Sequence, residues 1–337
     1  MLKYKVYSLQ IFKSINKWYI IYQKVVDNMK KYLKIMRIDH WIKQLFILPG
    51  FISALFIVNK GIDIHIIIKF LLALIGVSMI ASANYVINEY LDREFDKYHP
   101  VKKKRVLVDE SIKKSSIAII WFVLSLVGLL LGYFINLSFM CMQIFLLIMG
   151  IIYNVKPLRT KDIPILDVIS ESINNVIRLL MGWFIISSST IPPVSLVLGY
   201  WLTGAFLMNT KRYAEYKMIN NPQIAKLYRK SFGYYTENLL MIISFFYAMS
   251  SIFFVGIFLI KYKIELLLLI PFLIGLFCYY FYLSFRNDSV VQKPEKLYKE
   301  RGLVLYCIFL IILFAVLSLI NIPVLDMFTK NDIIKLW

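Results

Sequence analysis

The chain has 337 residues, 60% of them hydrophobic and 16% aromatic, with a formal net charge of +19. Its mean hydropathy is +0.69. Because soluble domains average about 45–50% apolar residues, the composition excludes an ordinary soluble domain and predicts an all-α, polytopic membrane helical bundle. The excess positive charge lies in loops between apolar segments, where topology explains it, so it does not predict a nucleic-acid partner.

Nine apolar segments follow one another, and each approaches the ~20 residues that a helix needs to cross a bilayer. They are residues 42–59, 66–87, 115–134, 136–153, 163–187, 191–209, 237–259, 263–285 and 302–323. Residues 1–35 interleave lysines with aromatic residues, which predicts a basic, interfacial amphipathic segment rather than a signal peptide. We therefore predict an N-terminal segment at 1–35, a transmembrane catalytic domain at 36–323 and a short tail at 324–337.

Lysine and arginine are concentrated in the N-terminal segment and the even-numbered loops, whereas the odd-numbered loops carry almost none. By the positive-inside rule, the basic segments face the cytoplasm. The pattern predicts a multi-pass protein of the cell membrane whose C-terminus, after nine spans, lies outside. The three cysteines lie in apolar segments, and we interpret them as packing residues.

The first span opens with a polar group of residues that includes Trp41 and Lys43. Trp41 suits the aromatic belt of a membrane interface. Lys43 lies just inside that belt, where it either snorkels to the interface or points towards a site.

An acidic motif lies at the end of the second span. On a helix, Asn88, Glu89, Asp92 and Asp96 fall at positions i, i+1, i+4 and i+8, within an arc of ~100°. Asn84 extends the same face one turn deeper into the membrane. Three carboxylates on one face repel each other and predict a bound cation. Oxygen ligands favour Mg²⁺ over zinc, with Mn²⁺ as an alternative, and Mg²⁺ with open positions usually carries substrate phosphates.

The loop after the fourth span supplies cations and further acids. Lys156, Arg159 and Lys161 are suited to the oxygens of a diphosphate. Asp162 and Asp167 are candidates for a second metal site. The alternative is an ordinary cytoplasmic loop that ends in an aspartate at a helix start.

Two later spans carry charges that a membrane disfavours. In the fifth span, Asp167, Glu171, Asn174 and Arg178 recur at intervals of four, three and four residues and share one helical face. This stripe predicts the wall of a water-filled cavity, although pairing of its charges within the bundle is an alternative. The sixth span ends with Lys211, Arg212 and Glu215, which either join the same site or snorkel at the interface.

The motifs resemble those of the UbiA superfamily of intramembrane prenyltransferases. The first aspartate motif of that superfamily corresponds to Asn88-Glu89-x-x-Asp92-x-x-x-Asp96, with glutamate in place of the first aspartate. The second motif resembles the run from Tyr153 to Asp167. The resemblance covers about residues 36 to 320 and implies a UbiA-like bundle of about nine helices with a cytoplasm-facing cavity.

Within the superfamily, the decaprenyl-phosphate phosphoribosyltransferase branch is the more similar. The similarity lies in Trp41-x-Lys43, in the run from Asp96 to Arg105, in Arg178-x-x-x-Gly182 and in Lys211-Arg212-x-x-Glu215. Two positions depart from the branch pattern, because Val106 and Ile38 stand where it has proline.

This branch implies transfer of phosphoribose from phosphoribosyl diphosphate to a polyprenyl phosphate at the cytoplasmic face of the membrane. Glu89, Asp92 and Asp96 would hold the metal and act in catalysis. Lys43, His99, Lys102, Arg105 and Lys211 would bind the 5-phosphate or the lipid phosphate, and Asn84 and Asn88 would hold ribose hydroxyls or orient metal ligands. The full set of candidate substrate-binding residues is Lys43, Asn84, Asn88, His99, Lys102, Arg105, Tyr153, Lys156, Arg159, Lys161, Glu171, Arg178, Lys211 and Arg212.

Two other functions are compatible with the sequence. A prenyltransferase that moves a polyprenyl group from its diphosphate to an aromatic or lipid acceptor would use the same metal clamp. The basic residues beside the first motif favour phosphoribosyl transfer, because its donor carries a second phosphate. A transporter is disfavoured, because the charges cluster on one membrane side and the spans show no inverted repeat. The sequence is also compatible with an oligomer.

Overall fold

A computed structural model describes residues 18–19, 22–24, 26, 29–98, 103, 105–109, 112–286 and 289–328. Within these residues the chain is helical and contains no strand. The α-helices are α1 (Leu48–Val58), α2 (Ile64–Asp96), α3 (Val106–Asp109), α4 (Lys114–Ile135), α5 (Leu137–Asn154), α6 (Leu166–Ile186), α7 (Val194–Ile219), α8 (Pro222–Tyr228), α9 (Glu237–Tyr262), α10 (Ile270–Ser284) and α11 (Arg301–Leu319). Short 3₁₀ helices cover Ile38–Ile47, Thr160–Asp162, Lys230–Gly233, Ile264–Leu269, Val290–Gln292, Pro294–Lys299 and Pro323–Phe328.

Every predicted span overlaps helical structure among the described residues, which confirms the polytopic helical bundle. Seven helical segments are long and apolar enough to cross a membrane by length and composition, the first of them ending with α1. The helices α6 and α7 fall outside this group, and they carry the charged residues of the fifth and sixth spans.

Three helix boundaries differ from the predictions. The first span begins as the 3₁₀ helix Ile38–Ile47, and α2 runs nine residues past its predicted end, to Asp96. The helix α7 continues to Ile219 instead of ending near residue 209. The first extension contains Glu, Leu and Arg and the second contains Lys, Arg, Ala, Glu and Met, all strong helix formers, and neither contains glycine or proline. Hydropathy locates only the end of the apolar segment, whereas both helices continue beyond it with polar residues.

Side-chain caps define several helix starts. The carboxylate of Asp63 accepts a hydrogen bond from the backbone N–H of Ile66 at 2.8 Å and begins α2. Asn136 ends α4 and also begins α5, because its Oδ1 accepts from the N–H of Phe139 at 2.8 Å. These caps satisfy backbone donors that a helix start leaves unpaired. A single residue therefore reverses the chain between α4 and α5.

The bundle has two packed halves. One core cluster is formed by α1, α2, α4, α5 and α6, and a second is formed by α7, α9, α10 and α11. The helices α1 and α6 meet backbone to backbone, since a Cβ atom on Gly182 would lie 2.0 Å from the carbonyl oxygen of Ile47. Gly50 approaches Leu179 in the same way. Small residues permit such close contacts between membrane helices, and this one fixes α6 in the wall described next.

Candidate functional site

A polar cavity of about 470 Å³ lies between α2, α6, α7 and the loops at one end of the bundle. Its walls among the described residues carry eleven lysines and arginines against six aspartates and glutamates. The basic residues are Arg37, Lys43, Arg105, Arg159, Lys161, Arg178, Lys211, Arg212, Arg229, Lys293 and Lys296, and the acidic residues are Asp39, Asp92, Asp96, Asp162, Glu171 and Glu215. The cavity therefore suits an anionic ligand.

The acidic motif on α2 contributes only part of its predicted set to the cavity. Asn88, Asp92 and Asp96 line it. Glu89 is buried instead, and its carboxylate lies 3.4 Å from the guanidinium of Arg37. Adjacent residues on a helix point about 100° apart. Because Asn88 faces the cavity, Glu89 is turned towards the 3₁₀ helix at the start of the first span.

The second motif meets the first at Asp92. Arg159 donates from Nη2 to Oδ1 of Asp92 at 2.9 Å, and the Lys161 ammonium donates to the same oxygen. Arg159 also donates from Nε to Asp162 at 3.1 Å, and Lys161 donates to Asn154 at 2.8 Å. Burial lowers the pKa of Lys161 to about 8, although the charge of Asp92 opposes that fall. These contacts bring together residues that sequence analysis assigned to two separate motifs.

Asp96 and Arg105 form the next ion pair along the wall, with Nη1 and Oδ2 at 2.5 Å. Burial disfavours the charged form of Arg105, but the carboxylates of Asp96 and Glu89 outweigh it and raise the pKa of Arg105. Two other predicted phosphate ligands, His99 and Lys102, lie outside the residues that the structure describes.

A hydrogen-bonded network of largely buried side chains connects α6 with α7 at the cavity wall. Glu171 accepts hydrogen bonds from the hydroxyl of Tyr153 at 2.9 Å and from the guanidinium of Arg212. Arg212 is also within 3.2 Å of Asp167 and 3.4 Å of Glu215. The two acidic residues of α6 thus pair with Arg212 of α7, while Glu171, Asn174 and Arg178 line the cavity. Both predicted interpretations of the stripe therefore hold in part.

Asp167 belongs to this network and not to the cavity wall. Its side chain is fully buried, with the hydroxyl of Tyr235 at 2.7 Å and that of Ser231 at 3.2 Å. Asp162 lines the cavity. The structure therefore does not bring Asp162 and Asp167 together at the cavity, where a second metal site was predicted. Spacing in the loop cannot reveal this, since the partners of Asp167 come from residues 212–235.

The remaining predicted site residues lie in three places: the main cavity, a smaller inner cavity and the exposed surface. Lys43 and Lys211 line the cavity, and the Lys43 ammonium lies 3.0 Å from Nδ1 of His40. Asn84 faces a smaller inner cavity of about 90 Å³ and donates to the carbonyl oxygen of Leu146 at 2.8 Å. Lys156 is exposed and does not line either cavity.

Four basic residues of the cavity wall were not among the predicted site residues: Arg37, Arg229, Lys293 and Lys296. Arg229 follows α8 and lies 3.3 Å from the hydroxyl of Tyr153 and 3.7 Å from Asp167. Its pKa is raised well above the usual value, because neighbouring acidic groups outweigh the effect of burial. Each of the four stands in a basic segment outside the predicted spans, where the charge bias of such segments hides a residue that lines the cavity.

The carboxylates of the cavity are candidate ligands for a divalent metal ion. Among the described residues, no three His, Cys, Asp or Glu side chains are grouped as a metal site. Asp92, Asp96 and Asp162 nevertheless line one cavity and offer the oxygen ligands that Mg²⁺ prefers. Their cationic partners occupy those oxygens, so a metal would compete with Arg159, Lys161 and Arg105. The carboxylate oxygens of Asp92, Asp96 and Asp162 thus suit Mg²⁺, whereas the side chains of Glu89 and Asp167 do not line the cavity.

Known proteins resemble this chain in sequence and fold. A sequence model described as the UbiA prenyltransferase family matches residues 46–306. The 4-hydroxybenzoate octaprenyltransferase of Blochmanniella floridana is 30% identical over 123 residues, which is 36% of this chain and 43% of that protein. The chain therefore aligns with less than half of that relative.

Two solved structures share the fold. The structure of a UbiA homologue from Archaeoglobus fulgidus bound to GPP and Mg²⁺ covers 86% of this chain and 100% of its own, with a TM-score of 0.62 and 19% identity. A structure concerned with digeranylgeranylglyceryl phosphate synthase in membranes covers 85% and 99%, with a TM-score of 0.58 and 21% identity. At such identities the likeness extends to the fold alone.

Proposed function

The chain belongs to the UbiA prenyltransferase family, and we propose that it transfers 5-phosphoribose from phosphoribosyl diphosphate to a polyprenyl phosphate. Membership of a transferase family makes it a multi-pass membrane transferase and leaves the transporter hypothesis without support.

The observation that carries the proposal is the excess of five basic over acidic residues on the cavity wall. Phosphoribosyl transfer brings three phosphate-bearing groups together: the diphosphate, the 5-phosphate and the lipid phosphate. Prenyl transfer to an aromatic acceptor brings one diphosphate. Arginine and lysine bind phosphate oxygens through charge-assisted hydrogen bonds. A cavity with many cations therefore favours the substrate pair with more phosphates.

In the proposed reaction, the bond between C1 of ribose and the diphosphate oxygen breaks, and the diphosphate leaves with the electron pair. An oxygen of the lipid phosphate forms the new bond to C1. This nucleophile is already an anion at neutral pH, so no general base is required. Arg159 and Lys161 stand beside Asp92, where they can hold the leaving diphosphate and stabilise its growing charge.

A divalent metal fits the proposal. Asp92 and Asp96, with Asp162 from the opposite motif, are the residues that would hold Mg²⁺ or Mn²⁺. When bound, the ion would neutralise charge on the diphosphate. Arg159 and Lys161 would then turn from Asp92 to the phosphate oxygens, because the same cations cannot serve both.

A second candidate function is prenylation of an aromatic acceptor. It is favoured by the 4-hydroxybenzoate octaprenyltransferase name of the relative from Blochmanniella floridana. The apolar residues Phe46, Leu207 and Met208 on the cavity wall are compatible with it. They equally suit the isoprenoid chain of a polyprenyl phosphate, so they do not separate the two candidates.

We further propose that the cavity opens to the cytoplasm. It lies among the basic loops after α2, α5, α7 and α10, and such loops stay inside by the positive-inside rule. Phosphoribosyl diphosphate is a charged, water-soluble donor, which is consistent with a site on that side.

The test is substrate identity. Purified protein in lipid nanodiscs would be incubated with Mg²⁺ and either labelled phosphoribosyl diphosphate plus a polyprenyl phosphate, or a labelled prenyl diphosphate plus 4-hydroxybenzoate. The expected result is lipid-extractable label from the first pair, and none when the polyprenyl phosphate is omitted. Turnover of the second pair alone would overturn the proposal in favour of prenyl transfer.

A further inference from the structure

Arg178 differs from the other arginines of the cavity wall. Each of the other five lies within ion-pair distance of at least one carboxylate. Among the described residues, Arg178 has no such carboxylate, and its hydrogen-bond partners are neutral: it donates from Nε to Oε1 of Gln44 and from Nη1 to the carbonyl oxygen of Asn174, each at 2.9 Å. Its guanidinium thus makes no direct ion pair inside the helix α6, and Glu171, which lines the same inner cavity, acts on it only from beyond ion-pair distance.

The polar atoms around Arg178 are also incompletely paired. Nε2 of Gln44, a side chain that is 0% exposed, has no hydrogen-bond partner among the described atoms, and neither has the buried Oδ1 of Asn174. Buried polar atoms are nearly always hydrogen-bonded, and an exception calls for an explanation. Both residues contact the same guanidinium, so the unpaired atoms and the charge without a direct ion pair coincide at one place.

A buried cation without a direct ion pair is costly in a bilayer, and such residues usually mark a ligand or ion pathway. Arg178 lines both the main cavity and the small inner one, together with Tyr85, Asn88 and Asn174. The missing ion-pair partner therefore fits an anionic group of a substrate that reaches the inner end of the cavity.

Depth indicates which anionic group this is. Tyr85 precedes Asp92 by seven residues of α2, so the inner end lies about 10 Å deeper along the helix axis than the proposed diphosphate clamp. The ribose ring and its 5-carbon bridge a gap of this kind between two phosphates. The side-chain amides of Asn84, Asn88 and Asn174 line the inner end, and they suit ribose hydroxyls. An isoprenoid chain placed there would desolvate these amides and the guanidinium.

We propose that Arg178 binds the 5-phosphate of phosphoribosyl diphosphate, and that Gln44 and Asn174 orient its guanidinium. This inference rests on the proposed function and names the subsite that selects the donor. It makes Arg178 a specificity-determining residue, because a donor without the 5-phosphate leaves the charge of Arg178 buried and without a direct ion pair.

The experiment compares two donors in nanodiscs: phosphoribosyl diphosphate and ribose 1-diphosphate, which lacks the 5-phosphate. The kcat/KM of each is measured at saturating polyprenyl phosphate for wild type, Arg178→Met and Arg178→Lys. Arg286→Met is the matched control, since Arg286 pairs with Glu300 outside the cavity. Wild type should prefer the phosphorylated donor by about 10- to 100-fold, the range expected for charge-assisted contacts to one phosphate.

In Arg178→Met that preference should shrink to about twofold, through loss of activity with phosphoribosyl diphosphate alone. Arg178→Lys, which keeps the charge and guards against a folding defect, should retain an intermediate preference. Equal losses with both donors, or a raised KM for polyprenyl phosphate alone, would overturn the inference and leave the proposed function intact. If wild type consumes neither ribosyl donor, the proposed function fails and this inference fails with it.

Discussion

Arg159 donates a hydrogen bond from Nη2 to Oδ1 of Asp92 across 2.9 Å and so joins two segments that are 67 residues apart. One segment is the acidic end of α2, and the other is the loop between α5 and α6. The bond places the cations suited to a diphosphate directly beside the carboxylate suited to its metal. A metal ion held by Asp92 would compete with these cations, and its binding would therefore release them to bind phosphate.

Asp92→Asn should lower kcat by about 10²–10³-fold, because it removes a negative ligand and electrostatic preorganisation at the reacting centre. The matched control is Glu94→Gln on the same helix, where Glu94 is exposed and pairs with Lys97. Initial rates in nanodiscs check the prediction. Near wild-type activity of Asp92→Asn would remove Asp92 from the metal clamp.

Chelation should abolish activity. The cavity offers Asp92, Asp96 and Asp162 as oxygen ligands, which bind Mg²⁺ and Mn²⁺. Product formation is measured with EDTA present and again after either ion is added in excess, and we expect loss followed by recovery. Zinc alone should restore less activity, because an all-oxygen site suits it poorly. Full turnover in EDTA would contradict the proposed ligands.

Arg229→Gln should raise the KM of the diphosphate donor by about 10- to 100-fold, the range for one charged contact to phosphate. Arg229 lines the cavity beside Tyr153. Lys226→Gln is the control, because Lys226 lies on α8 nearby, exposed to solvent and outside the cavity wall. Similar KM values for both variants would show that Arg229 acts only within the protein.

Gly182→Ala should destabilise the protein by about 1–3 kcal/mol, as expected for overpacking. A Cβ atom there would lie 2.0 Å from the carbonyl oxygen of Ile47, so α1 and α6 would have to separate. Gly61→Ala is the control, since nothing lies within 4 Å of its added Cβ. Thermal unfolding in detergent, followed by fluorescence, compares the two. An unchanged midpoint for Gly182→Ala would mean that the interface can open freely.

Single cysteines test the orientation. The native cysteines, which lie exposed on apolar helices, would first be replaced by serine. A membrane-impermeant thiol reagent applied to intact cells should label Ile191→Cys and Val324→Cys, which the charge rule places outside. It should label Lys103→Cys and Lys226→Cys only after the membrane is permeabilised. Labelling of Lys103→Cys in intact cells would invert the proposed topology.

The sequence predicted the bundle, the helical position of the acidic motif and the polar stripe of α6, because hydrophobic and polar periodicity reflect helix geometry directly. It placed Asp92, Asp96, Arg159, Lys161 and Arg212 among the candidates, and the structure brings all five to one cavity. Helical face indicated Asp92 and Asp96, and position at the same end of the spans indicated the other three.

The predictions are wrong for residues whose position depends on the rotation of a helix or on a partner that is distant in sequence. Asn88 and Glu89 are neighbours, and only the packing of α2 determines which of them faces the cavity. Asp167 has the spacing of a wall residue, yet Arg212 and Tyr235 draw it into a buried network. Arg229 and Lys293 come from loops without periodicity, so no local pattern distinguishes them from other loop cations. Such contacts are long-range in sequence and follow from the assembled fold.

The pairing of α6 with α7 also bears on how the protein is made. A charge raises the cost of inserting a helix through the translocon, by about 2.5–3.5 kcal/mol when it lies at the helix centre. Asp167 and Glu171 lie in the first two turns of α6 and Arg212 lies in the polar part of α7, and neither helix is among those that are apolar enough by composition. Arg212 of α7 neutralises Glu171 and Asp167 of α6. We therefore expect the two helices to enter the bilayer together as a hairpin. Loss of either partner would then reduce the yield of integrated protein in the cell before it affected any chemical step.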